Sequence, residues 1–171
     1  MQRREFFTGA TCVLLGLTPA THLLASEGDR VFAVSSGASA SLNAQIIAQT
    51  NAIRRSAGRS ALKQSPELMR AAQDYAGKLA AAGKLSHSLG GADPGKRARA
   101  AGFNWRAIGE NIVVGSARGS EEQIAASLIK QWMDSNGHRK NILATKYNFI
   151  GVGVFQNNGR AYGVQIFGKP R

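Results

Sequence analysis

Apolar positions recur at a helical spacing in four stretches of the chain and alternate in its last quarter. Leu42, Ile46, Ile47 and Ile53 predict a helix over residues 41–57, closed by Gly58. Ser65-Pro66-Glu67 is a helix start, with a capping serine, a proline at the first helical position and an acid at the positive dipole end. Leu68, Ala72, Tyr75, Ala76 and Leu79 then share one face, and Gly83 ends that helix. Asp93-Pro94 opens a short third helix that stops at Gly102, and Ser120 with Gln123 forms a capping box for a fourth, whose stripe is Ile124, Leu128, Ile129 and Trp132. From Phe149 to Phe155, large residues alternate with glycine or valine. Asn157-Asn158-Gly159 makes a turn, and alternation resumes from Ala161 to Phe167, the pattern of an antiparallel hairpin. Residues 111–115 add a further strand. Helices first and a hairpin last, with no strand–helix repeat, predict an α+β single domain packed on an antiparallel sheet.

The first 25 residues stand apart. Arg3 and Arg4 precede a modest apolar stretch, and small residues offer cleavage after Ala20 or Ala25, so residues 1–25 read as a signal peptide. Arg3-Arg4-Glu5-Phe6-Phe7 resembles a twin-arginine export signal, with an ordinary secretory n-region as the alternative. Residues 26–40 are small and polar and read as a linker, which leaves 41–171 as the folded domain. Cys12, the one cysteine, leaves with the signal; a disulfide framework is excluded and the expected compartment is periplasmic or extracellular. No apolar run reaches the ~18–20 residues of a membrane span. A mature chain of roughly 145 residues can bury enough surface to fold without a metal or disulfide.

Charge changes the picture of partners. Lys and Arg number 22 against 10 acids, giving +12 and a pI near 10.7. Removing the signal leaves +11. Such a surface favours anionic polymers or acidic lipid heads. The cations are dispersed, with only Lys96-Arg97-Ala98-Arg99 and Arg139-Lys140 locally dense, and no nucleic-acid motif accompanies them, so nucleic acid is not an expected partner.

His87 and His138 are the histidines left after cleavage at Ala25, each in polar or glycine-rich sequence that reads as loop. Glu110, in Gly109-Glu110-Asn111, is conspicuous because Asp93 is the one other acid between Asp74 and Glu121. Two imidazoles and a carboxylate can hold zinc with a position open to water. They can equally form an acid–base pair with a carboxylate orienting a ring, or be two satisfied loop histidines and a turn glutamate. Gly-x-Ser-x-Gly, phosphate-loop and His-Glu-x-x-His patterns are absent. Gly151 and Gly153 predict close backbone approach or a bulge, and the phase of Trp132 predicts core packing; Trp105 is the other tryptophan that can line a groove.

At these residues the chain resembles the CAP superfamily of cysteine-rich secretory, antigen 5 and pathogenesis-related proteins, in its disulfide-free bacterial form. The resemblance rests on Leu85-Ser86-His87-Ser88, Gly109-Glu110-Asn111-Ile112, the run from Trp132 to Leu143, Phe149-Ile150-Gly151-Val152-Gly153-Val154 and the closing Tyr162 to Phe167, in family order over residues 41–167. It implies an α–β–α sandwich with a central cleft lined by two histidines and two acids, zinc in some members, and secretion. His87, Glu110 and His138 match three cleft positions, as candidate catalytic residues and candidate zinc ligands. Ser135 stands at the fourth; Asp134 lies one residue early, about 100° away around a helix, so zinc occupancy is expected to be modest. Two functions follow as expectations: a ligand-binding module for a lipid, sterol or cell-envelope polymer, or a metal-dependent or histidine-based hydrolase such as a peptidase.

Overall fold

In the computed structural model the described residues are 27–171, with side chains described from Ala40 onward. The signal-peptide reading of residues 1–25 lies outside them. The order is α1 (Glu27–Ser56), β1 (Lys63–Gln64), α2 (Pro66–Ala82), a 3-10 turn (Leu89–Gly91), α3 (Pro94–Ala100), β2 (Trp105–Ser116), α4 (Glu121–Asp134), α5 (Asn136–Leu143), β3 (Phe149–Asn157) and β4 (Arg160–Pro170).

The strands lie in the order β1-β3-β4-β2. β2, β4 and β3 form the expected antiparallel core of the sheet, and β1 adds a two-residue parallel pairing to β3, so the sheet is mixed. The hairpin closes at Asn157↔Arg160, with Asn158 at φ 49° and Gly159 at φ 71°, the left-handed pair that a tight two-residue turn requires.

Side-chain alternation along the strands builds two cores, one on each face. Ile112, Tyr162, Val164 and Ile166 pack under α2 with Leu68, Ala72, Tyr75 and Leu79. Val113, Val152, Val154 and Phe167 pack on the other face with Leu42 and Ile46 of α1 and Leu128 and Trp132 of α4. Trp132 is fully buried, as its helical phase requires. The result is the α–β–α sandwich.

Gly151 and Gly153 seat α2 directly on β3. A Cβ at Gly151 would lie 2.1 Å from the Leu68 carbonyl carbon, and one at Gly153 2.3 Å from the Gln73 nitrogen. Beyond the short β1, the β3 edge is satisfied by side chains. The Gln73 amide both donates to the Val154 carbonyl (2.9 Å) and accepts from the Val154 N–H (3.3 Å), and Asn43 of α1 donates to the same Gln73 oxygen (3.0 Å). At Val154 the outward backbone groups are thus already paired and unavailable to another strand.

Three elements depart from the sequence expectation. The helical backbone of α1 begins at Glu27 and runs through the stretch expected as a linker, because no proline interrupts residues 27–40 and extending a helix already nucleated by packing costs little. β2 starts at Trp105 rather than 111, since β4 extends to Pro170 and supplies partners along its whole length. His138, expected in a loop, lies on α5. Ser135, at φ −88° and ψ 120°, breaks the chain from α4, and its carbonyl accepts the Arg139 N–H at 2.9 Å to start the new helix.

Candidate functional site

β2 is an edge strand, and its residues 110 and 111 anchor the site. Glu110 points to the α2–α3 face, where its side chain is 1% exposed. One carboxylate oxygen, Oε1, meets Nδ1 of His87 at 2.8 Å, and the other accepts a hydrogen bond from Nη2 of Arg97 on α3. A carboxylate this deep is costly unless paired and hydrogen-bonded, and Arg97 meets that requirement. His87 itself is 55% exposed, on the loop between α2 and α3.

Asn111 points to the opposite face. Its amide donates to the His138 carbonyl (3.0 Å) and to Gln165 (3.1 Å), and accepts from Asn141 (2.9 Å), which also donates to the Glu110 carbonyl (3.2 Å). Gln165 donates onward to Thr50 of α1 at 2.9 Å. Gly109 completes the motif: a Cβ there would sit 2.3 Å from the Tyr147 hydroxyl, which donates to the Ile108 carbonyl. Arg54 of α1 fixes the far end of α5, donating to the carbonyls of Ile142 (2.6 Å) and Ala144 (2.9 Å), where the negative end of the helix dipole favours a cation.

The three residues singled out in the sequence are thus tied to one strand: His87 through the Glu110 side chain, His138 through the Asn111 side chain. The imidazole of His138 is half-buried, and burial, followed by the nearby charge of His87, holds its pKa below the ordinary histidine value. It is therefore neutral at pH 7. Asp134 takes no part, being exposed and paired with Lys130 at 2.7 Å.

This donor set does not make a three-ligand zinc centre as it stands. Both Glu110 oxygens are engaged, and among the described residues no three His, Cys, Asp or Glu side chains gather to hold a metal ion. The two imidazoles remain as the nitrogen donors. Their arrangement suits a polar contact surface, or a ring whose orientation is set by a carboxylate for acid–base work.

Sequence reasoning missed Arg97, and gave no role to Asn111, Asn141 or Gln165. One signal was available for Arg97. An isolated acid inside an apolar strand needs a buried cation, and Lys96-Arg97-Ala98-Arg99 was the dense basic segment closest before it.

Comparison with known proteins agrees with this fold. The profile of the "Cysteine-rich secretory protein family" (CAP) matches residues 47–167. The uncharacterized protein YkwD of Bacillus subtilis (strain 168) is 38% identical over 68 residues, 40% of this chain and 24% of that protein, so the match spans about a quarter of that relative's length. An extracellular protein containing a SCP domain from Bacillus anthracis str. Ames shares the fold with TM-score 0.66 and 24% identity, over 91% of this chain and 45% of that one. An outer surface protein of Borrelia burgdorferi does so with TM-score 0.64 and 20% identity, over 73% and 90%. With a family profile spanning most of the sequence and the α–β–α fold in place, the chain belongs to the cysteine-rich secretory protein (CAP) family.

Proposed function

We propose that this protein is an exported ligand-binding module of the cell envelope, whose cleft holds a polar group of an anionic envelope polymer between His87 and His138. One observation carries this reading. The acid at the site is buried and neutralised by Arg97, while exposed cations flank both imidazoles: Lys84 three residues before His87, and Arg139 and Lys140 directly after His138. With that acid paired, the site's own carboxylate adds no net negative charge, on a chain of net charge +12. Such a surface attracts polyanions and loosens with salt. The signal reading of residues 1–25 and membership of a secretory family support export.

A hydrolase is the second reading, favoured by the His87–Glu110 hydrogen bond. A carboxylate on one ring nitrogen orients the other as a general base toward water or a substrate hydroxyl.

Co-sedimentation with purified cell-wall polymer, and separately with anionic lipid vesicles, tests the first reading. Binding to the polymer should fall steeply between low and moderate salt, and drop when Lys84, Arg139 and Lys140 are replaced by Ser. Equal retention by a neutral polymer would refute it, and retention by vesicles alone would replace the polymer with a lipid surface. Turnover of a peptide library, lost in His87→Ala, would move the assignment to the hydrolase.

A further inference from the structure

We infer that Arg97 is a positioning residue that selects the tautomer of His87, so that the ring presents Nε2 to the cleft as a hydrogen-bond acceptor. The inference deepens the reading above and rests on its assignment of His87 as a ligand-facing ring.

The argument is one of donors and acceptors. A guanidinium only donates and stays charged in proteins. Nη2 of Arg97 donates to Oε2 of Glu110, so the carboxylate is held ionised and can only accept. Nδ1 of His87 lies 2.8 Å from Oε1 and must be the donor. In a neutral imidazole the other nitrogen is then a bare acceptor. With the Glu110 side chain 1% exposed, water does not compete at the carboxylate, while the ring is 55% exposed with Nδ1 turned in to Oε1.

Arg97 is itself held tightly enough to impose this choice. Its Cζ lies 3.4 Å from the centroid of the Tyr75 ring, and Nη1 donates to the carbonyls of His87 (3.1 Å) and Ala92. The Tyr75 hydroxyl donates to the Ser86 carbonyl and accepts the Leu89 N–H at 3.0 Å. The same two side chains therefore fix the imidazole through Glu110 and the backbone on both sides of it. A consequence for ligand class follows. A ligand group that hydrogen-bonds to Nε2 has to bring the proton, as a hydroxyl or amide N–H does, while the anionic groups of the polymer fall to the flanking cations.

Nitrogen-15 NMR of the ligand-free, chelator-treated protein, with labelled histidine and at a pH where the ring is neutral, reads this directly. The native spectrum should show a pyrrole-like Nδ1 and a pyridine-like Nε2 for His87. In Glu110→Gln, Arg97 claims the amide oxygen and turns the amide nitrogen toward Nδ1, so the two signals should exchange character. In Arg97→Met with Glu110→Gln the amide is free to turn its oxygen back, and the native pattern should return. Arg97→Lys keeps a cation on Oε2 and should leave the pattern unchanged. A native spectrum with the proton on Nε2 overturns the inference without any variant, as does a double variant that matches Glu110→Gln. Failure of the polymer reading would appear in sedimentation and leave these spectra untouched.

Discussion

Glu110 and Asn111 are chain neighbours that work on opposite faces of the sheet: one holds the His87 ring at 2.8 Å, the other holds the His138 carbonyl at 3.0 Å. Two histidines from distant elements are thus referenced to a single peptide unit of β2. Alternation along a strand makes this possible, because successive side chains leave opposite faces. The His87 ring and the His138 backbone are therefore both tied to the sheet edge, although His87 sits on a loop.

The Arg97–Glu110 pair should dominate the stability cost of disturbing the site. Arg97→Met leaves a carboxylate buried without its cation, which costs about 3–5 kcal/mol. Replacing both, Arg97→Met with Glu110→Gln, removes the uncompensated charge and should recover a large part of that loss. Urea unfolding of the two single variants and the double one closes the cycle. Additive losses would mean that the two side chains are not coupled.

Much of the fold could be read in the sequence because its signals are local. Ser65-Pro66 and Ser120 with Gln123 cap their helices as expected, with Ser65 Oγ accepting the Leu68 N–H at 3.2 Å and Ser120 Oγ the Gln123 N–H at 3.3 Å. Asn158-Gly159 announced the hairpin. What stayed hidden depends on partners distant in sequence. Nothing local distinguishes the start of β2, which is set by β4, and α5 has no side-chain cap to mark it. At the site, His87, Glu110 and His138 stood out by residue type and family order. Arg97 did not, because among so many surface cations only the fold reveals that Arg97 is buried while Lys96 and Arg99 are exposed.

The glycines of β3 provide a test of the sheet–helix contact. Gly153→Ala places a methyl 2.3 Å from the α2 backbone, which cannot move aside as a flexible side chain can. A loss of about 1–3 kcal/mol or more is expected from the overpacking. Gly137→Ala is the control: it sits within α5 with nothing within 4 Å of the added Cβ, and should be neutral or gain up to about 1 kcal/mol. Thermal unfolding of both variants checks the contrast. A harmless Gly153→Ala would show that α2 does not rest on β3 as described.

His138 gives the protein an acid-sensitive term. Burial first, and then the charge of His87, lowers its pKa from the ordinary 6.5. As pH falls through that value the unfolded chain takes up a proton before the folded protein does, so acid favours unfolding. Stability should therefore decline as pH drops below about 6.5, toward the lower folded value, with no contribution from this group above it. Melting temperatures of chelator-treated protein should show this slope, and His138→Gln should flatten it. An unchanged slope in the variant would assign the sensitivity to other groups.

Zinc titration separates a carboxylate that ligates from one that orients. With Glu110 committed to His87 and Arg97, the nitrogen donors are the two imidazoles, so uptake should be weak, lost in His87→Ala or His138→Ala, and weaker still as falling pH protonates the rings. Glu110→Gln should lower affinity by about 10–100-fold, the usual cost of losing a partner behind a ligand, because it withdraws the Nε2 lone pair of His87. The discriminating measurement is the double variant, Arg97→Met with Glu110→Gln. An orienting residue lets affinity recover there, since the amide oxygen can again accept from Nδ1 and free Nε2. A direct ligand would not be restored by removing Arg97, and affinity would stay at the level of Glu110→Gln. Calorimetry on the native protein and these variants gives either outcome, and the second would require Glu110 to leave Arg97 when the metal binds.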